Sequence, residues 1–289
     1  LLPDGRVMVK LFCMNPASHL KQCTDRGRAA VFFSATLLPV LYYKELLSGC
    51  REDYAVYAHS PFSRENRLFL VARDVSSRYA RRNRREFEKV FAYILEVAAQ
   101  RRGNYMAFFP SYQYMSRVWE LWEERREELE RRGFCLIVQS SHMDEAEKEA
   151  FLGTFEKETS EILVAFCVMG GIFSEGIDLK EDRLIGVMVV GTGLPMVCTE
   201  QEILRGYFDE KEGRGFDYAY QYPGMNKVMQ AAGRVIRTMD DRGVILLMDD
   251  RFLREEYQAL FPREWWPYQV TDRNHVGEMV RAFWQNGSG

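Results

Sequence analysis

Short continuous apolar runs alternate along this chain with longer segments in which apolar residues return every three or four positions. The runs at 67–72, 105–109, 134–138, 162–166, 184–190 and 244–248 have strand length and end in turn residues. Similar runs at 7–13, 29–33 and 54–58 predict further strands. Between them, Phe87, Val90, Phe91, Ile94, Leu95 and Ala98 follow the helical period and predict a helix from Ser76 or Ser77 to about residue 99. A second helix carries Met115, Val118, Trp119, Trp122 and Leu129 on one face. Further helices are predicted at 144–156, 200–208, around Gln230, after Phe252 and at 275–283. Strands that are apolar throughout, alternating with helices, imply an α/β fold with a mainly parallel sheet covered on both faces. In such sheets ligand-facing residues lie just past the carboxyl ends of strands. Ser34, Ser111, residues 170–178, Gly191 and Asp249 all occupy that position.

Composition narrows the class. With 289 residues, 47% hydrophobic and 28% charged, the chain can bury a sizeable core. A net charge of −3 excludes a general polyanion binder, so any nucleic-acid contact must come from a local patch. The 6 cysteines show no C-x-x-C spacing, and Cys13, Cys135 and Cys167 sit in apolar runs. That usage implies reduced intracellular thiols and no zinc or iron–sulfur framework. No apolar run is long enough to span a membrane and no signal peptide opens the chain, so a cytoplasmic protein is expected. The absence of an initial methionine and the final Asn-Gly-Ser-Gly suggest an excised piece, with one domain over 1–285 and 286–289 as a tail outside the fold.

Candidate chemistry gathers in two basic stretches. On a helix, Gln230, Arg234 and Arg237 fall at i, i+4 and i+7 and share one face, a donor array suited to a phosphate group or else a solvated basic face. Arg78, Arg81, Arg82, Arg84 and Arg85 crowd a predicted helix start, where positive charge opposes the macrodipole. They form either a solvated turn or a phosphate-contacting patch. Asp144-Glu145-Ala146-Glu147 resembles a metal-binding acidic box, but it follows no apolar strand, and acidic residues in a first helical turn have a dipole explanation. Asp249 and Asp250 do end an apolar strand. A magnesium role would require a phosphate-cradling loop, and the chain contains no Gly-Lys pair. A structural role is therefore expected, pairing Asp249 or Asp250 with Arg251 or the loop backbone. The four histidines lack ligand spacing, and Ser34 lacks a nucleophile elbow. Phosphate-facing arginines without a phosphate loop imply half of a site whose other half lies on another domain.

Four motifs in order carry a resemblance. Residues 32–37 read F-F-S-A-T-L, 108–112 read F-F-P-S-Y, 170–179 read G-G-I-F-S-E-G-I-D-L and 230–237 read Q-A-A-G-R-V-I-R. They resemble motifs III, IV, V and VI of superfamily II helicases. With the following D-R-G-x-x-x-L-x-D-x-R-F, the set is similar to the XPD/DinG branch of DNA helicases, over residues 7–252.

That resemblance implies a RecA-like three-layer domain, the second of two that clamp ATP. The first would carry the phosphate loop, the Mg2+ carboxylates and any iron–sulfur cluster. It implies Arg234 and Arg237 as arginine fingers, Gln230 as γ-phosphate sensor, and Glu175, Gly176, Asp178 and Gly233 beside the nucleotide. Ser111, Tyr112 and Ser174 would contact single-stranded DNA, and Ser34 and Thr36 would couple the two domains. The implied whole is a monomeric ATP-dependent DNA helicase, inactive as this piece alone. Two other classes compete: a non-catalytic nucleic-acid-binding module on the same shell, and a nucleotide-binding transferase. The transferase would need a Gly-rich phosphate site that Gly170-Gly171 does not provide.

Overall fold

The computed structural model describes residues 7, 9–156, 161–173 and 183–286. These gather into two compact units, one from residues 1–58 and 195–223, the other from 59–194 and 224–289. The sequence pattern had suggested one domain over 1–285.

The larger unit is built on a seven-stranded sheet. Its strands are β1 (Arg67–Ala72), β2 (Gly103–Phe109), β3 (Phe134–Val138), β4 (Ile162–Val168), β5 (Gly186–Val190), β6 (Gly243–Met248) and β7 (Gln269–Thr271), in the order β3-β4-β2-β5-β6-β1-β7. Every pairing is parallel, with Leu70 opposite Leu246 and Ala107 opposite Met188. Strands 1, 2, 4, 5 and 6 are buried almost throughout, as a sheet covered on both faces requires. Alternation divides their side chains. Leu68, Leu70 and Ala72 join a core with Val90, Ile94 and Val97 of α3 (Arg84–Ala98), Met115, Val118 and Trp122 of α4 (Tyr112–Glu123), and Val276 and Val280 of the C-terminal helix Val276–Gln285. On the opposite face Phe69 packs on Trp265 and Phe261, with ring centroids 4.5 and 6.4 Å away. This is the α/β, RecA-like layered architecture expected from the sequence.

Several local expectations change. Ser76 and Ser77 do not cap α3; both are buried in a loop, and Asn83 caps the helix by accepting from the Glu86 amide at 3.1 Å. Trp119 is exposed, because the buried stripe of α4 runs through Tyr114, Met115, Val118, Leu121 and Trp122. β7 follows an aromatic segment and is three residues long, too short to show a period. Asp144 and Glu147 form a reciprocal capping box, which accounts for that acidic run without a metal.

The smaller unit contains the helices Ala17–Thr24, Val40–Leu47 and Thr199–Glu212 and a π-helical turn at Asp217–Gln221. Tyr218 stacks on Phe208 at 4.3 Å and meets Tyr42 edge-on at 5.0 Å. Burial raises the Tyr42 phenol to about 12. The predicted strands at 29–33 and 54–58, and the described part of 7–13, are not strands. Among the described residues none of these segments joins the sheet, and Val9, Phe33 and Tyr54 are at least 90% exposed. All six cysteines are free; Cys167 is buried, Cys135 half-buried and Cys13 exposed rather than packed in a strand. Among the described residues no helix is long and apolar enough to cross a membrane.

Candidate functional site

A parallel sheet has two chemically different edges, and the candidate residues divide between them. The helix bearing Gln230 is α8 (Tyr222–Ala232), with Val228, Met229, Ala231 and Ala232 buried. It stops there, so Gln230, Arg234 and Arg237 do not share a helical face. Gly233 ends the helix, its amide 2.9 Å from the Met229 carbonyl, and the Arg234 amide turns back to Ala231 at 3.2 Å.

Asp241 then fixes the path of the chain. Its buried carboxylate accepts the backbone N–H of Arg237 at 2.6 Å, that of Thr238 at 2.7 Å and the Thr238 hydroxyl at 2.8 Å. Val235 anchors the same loop from the other side, where a Cβ on Gly243 would lie 2.0 Å from its Cγ1. Asn66, just before β1, donates to the Met239 carbonyl at 3.1 Å. Gly243 opens β6 and Asn66 precedes β1, so the arginine loop lies at the amino edge of the sheet. The side chains of Gln230, Arg234 and Arg237 are each partly exposed there, and Gly233 is exposed.

The carboxyl edge carries the other motifs. After β2, Ser111 caps α4 by accepting from the Tyr114 amide at 3.2 Å. The Tyr112 hydroxyl accepts from Gln139 Nε2 at 2.8 Å, while Gln139 Oε1 accepts from the Val168 amide at 2.9 Å. The ends of β2, β3 and β4 are thus tied together. Gly170 sits in the left-handed region at φ 72°, and a Cβ there would press on the Lys227 stem at 3.1 Å. Burial pulls the Lys227 ammonium below its ordinary pKa.

At the end of β6, Asp249 is fully buried and its acceptor positions are filled. Arg251 donates to both carboxylate oxygens at 2.8 and 2.9 Å, and Ser77 donates its amide at 2.8 Å and its hydroxyl at 2.6 Å. Burial alone would raise the Asp249 pKa; the Arg251 pair and the Ser77 hydrogen bonds outweigh it and hold the carboxyl below its ordinary value. This is the structural pairing expected from the sequence. Among the described residues no cluster of three or more His, Cys, Asp or Glu could hold a metal.

Ser34 and Thr36 belong to the smaller unit, where the Thr36 amide donates to Ser34 Oγ at 3.2 Å in a local turn. Ser174, Glu175, Gly176 and Asp178 lie outside the described residues. The structure therefore brings Ser111 and Tyr112 together with Gly170 at one edge and gathers Gln230, Arg234 and Arg237 at the other. Asp241, Gln139 and Ser77 were not anticipated as positioning groups. Asp241 sits within the quoted D-R-G stretch, but nothing local shows that its carboxylate turns back on residues 237 and 238.

A family model described as the helicase C-terminal domain matches residues 94–268. Among curated proteins, the chain is 24% identical to the ATP-dependent DNA helicase CHL1 of Scheffersomyces stipitis, over 96% of this chain and 36% of that protein. It is 26% identical to the XPD helicase subunit of general transcription and DNA repair factor IIH from Schizosaccharomyces pombe, over 92% and 35%. A solved structure titled as an XPD helicase superposes with a TM-score of 0.69 at 21% identity, covering 90% of this chain and 45% of the other. The chain spans about a third of the length of the curated relatives it matches.

Proposed function

Because the chain belongs to the helicase C-terminal domain family, we propose that it is the second motor domain of an ATP-dependent DNA helicase. It would work with a first RecA-like domain of the same polypeptide, in a monomer. The observation that carries this reading is the amino-edge loop, where a buried carboxylate fixes the backbone from which Arg237 projects and Val235 pins the loop to β6.

Such a loop suits a trans-acting role. Preorganised donors stabilise charge developing on a transferring phosphoryl group, and an arginine supplied across an interface contributes roughly 10³–10⁵ in rate. That equals about 4–7 kcal/mol of transition-state stabilisation. Arg234 and Arg237 would donate to phosphate oxygens, Gln230 would report the γ-phosphate, and Gly233 would let the backbone approach the nucleotide. By family likeness Glu175, Gly176 and Asp178 would lie beside the nucleotide. ATP with Mg2+ would be held mainly by the first domain, as would any iron–sulfur cluster. At the carboxyl edge, Ser111 and Tyr112, with Ser174 by likeness, would contact the backbone of single-stranded DNA without reading sequence. Ser34 and Thr36 would relay the nucleotide state between domains.

In the full-length protein, Arg234→Ala and Arg237→Ala are each expected to abolish DNA-stimulated ATP hydrolysis while leaving circular dichroism unchanged. Near-normal turnover in both variants would remove the assignment. The 289-residue chain alone is expected to bind ATP poorly and not to hydrolyse it.

A further inference from the structure

The arginine cluster at 78–85 has a structure of its own, and most of its charge is already balanced. Arg84 pairs with Glu88 at 2.9 Å and with Glu124 at 2.6 Å. Arg81 lies 3.3 Å from Glu86 and 3.9 Å from Asp250, and Arg78 lies 3.7 Å from Asp250. Those three are held mainly for local structure. Among the described residues Arg82 and Arg85 have no carboxylate partner. Arg82 donates to the Ser77 carbonyl at 3.1 Å, and its guanidinium lies over two rings, Tyr79 at 5.5 Å and Tyr114 at 5.4 Å.

Tyr79 is 84% exposed. An isolated exposed tyrosine is ordinary, but this one stands on an anchored base. Ser77 is buried on Asp249, Ser76 donates to Glu86 at 3.1 Å and to Asp250 at 3.2 Å, and Asn83 caps α3 just beyond. The loop also sits at the carboxyl edge: Asp249 follows β6, and a Cβ on Gly191, which follows β5, would meet Ser77 Oγ at 2.4 Å. Through Tyr114, whose amide donates to Ser111, it adjoins the α4 N-terminus. Thus an aromatic face and a cation against it adjoin the capping serine of motif IV, and Arg85, in the first turn of α3, is an exposed cation without a carboxylate partner.

We propose that residues 79–85 form a single-stranded nucleic-acid contact, with Tyr79 stacking on a base and Arg82 and Arg85 facing the backbone phosphates. The chemistry is that of sequence-tolerant strand binding, in which every base offers a π-face and the phosphates need cations. An acidic peptide would use the arginines but gain little from the ring. The inference rests on the reading of the carboxyl edge as the DNA side.

The test is fluorescence anisotropy of a labelled oligo-dT strand with the 289-residue chain at several salt concentrations. Tyr79→Ala is expected to weaken binding about tenfold, with no change in thermal midpoint, while Tyr79→Trp retains it. Arg85→Ala is expected to flatten the salt dependence by roughly 0.7 in log–log slope. Strong wild-type binding that Tyr79→Ala leaves intact would overturn the inference alone. Absence of wild-type binding would overturn it together with the DNA assignment of this edge. Competition by polyglutamate as effective as by unlabelled oligo-dT would replace the nucleic acid with an acidic polypeptide and also overturn it.

Discussion

Replacing Asp241 with alanine removes the acceptor for two backbone amides and one hydroxyl in the arginine loop. Hydrogen bonds to a charged group contribute about 1.5–3 kcal/mol each, so three set a ceiling of roughly 5–9 kcal/mol. They share one carboxylate and are not additive. Arg237 and Thr238 are also partly exposed, so water takes up the freed donors. A loss of about 2–4 kcal/mol follows. If the loop unfolds with the domain, the thermal midpoint falls by roughly 5–15 °C. If it opens alone, the midpoint moves little, and amide exchange at Arg237 and Thr238 accelerates by about 30- to 1,000-fold.

Asp241→Asn separates geometry from charge. Both backbone amides donate to the same oxygen, Oδ2, while the Thr238 hydroxyl donates to Oδ1. An asparagine with its carbonyl oxygen at the Oδ2 position keeps both amide bonds, and its NH2 can donate to the hydroxyl, which reverses role. Loss of charge assistance then costs about 1 kcal/mol. In the full-length protein, ATP hydrolysis is expected to collapse in Asp241→Ala and to persist at a reduced level in Asp241→Asn. Hydrogen exchange and steady-state hydrolysis on the two variants decide the matter. Equal damage from both, or exchange at 237 and 238 unchanged by alanine, would refute the claim that this carboxylate holds the loop.

Gly243→Ala places a Cβ 2.0 Å from Val235 Cγ1 and 2.9 Å from the Ile185 carbonyl; it is expected to destabilise by at least 1–3 kcal/mol. Adding Val235→Ala should recover the side-chain share but not the carbonyl clash, as urea denaturation of the single and double variants would show. Asp249, whose folded pKa is depressed, contributes stability that is present above the ordinary carboxyl range and lost as pH falls through its lowered value. The stability gap between wild type and Asp249→Asn should therefore hold from pH 8 to 5 and shrink below about pH 4; a gap that widens in acid would contradict the Arg251 pairing.

The parallel core was legible because its strands are covered on both faces and read as unbroken apolar runs; β1 and β3 match their predicted limits. The same signal failed at 29–33 and 54–58. Apolar content gives a segment the ability to be a strand, but strand formation needs a partner strand, and among the described residues these segments do not join the sheet. The spacing of Gln230, Arg234 and Arg237 was legible and their geometry was not. An Arg-x-x-Arg spacing continues a helix equally well past Gly233, and the bend depends on Asp241 and on Val235 meeting Gly243. Both contacts close over loops that periodicity does not report. The arginines at 78–85 show the same limit, because only the carboxylates found beside them separate the balanced from the unbalanced.

The two edges also constrain what any ligand can be. β6 has six residues, so the loop before Gly243 and the Asp249 cluster after Met248 stand roughly 20 Å apart. One phosphate group, with donors at hydrogen-bond distance, cannot touch Arg237 at one edge and Ser111 at the other. If both sets act, they act on different ligands or on distant parts of a long one. A module that only bound nucleic acid would use the carboxyl edge and leave the anchored arginine loop without a task. The proposed motor domain would use both, with the nucleotide at one edge, the strand at the other and the sheet between them. α8 links the two ends. Near its start, a Cβ on Gly224 would lie 2.6 Å from the Thr192 carbonyl, and its last turn leads into the arginine loop. One helix therefore runs from the strand-end turn at Thr192 to the arginine loop, and it is the covalent route by which a displacement at one edge would reach the other.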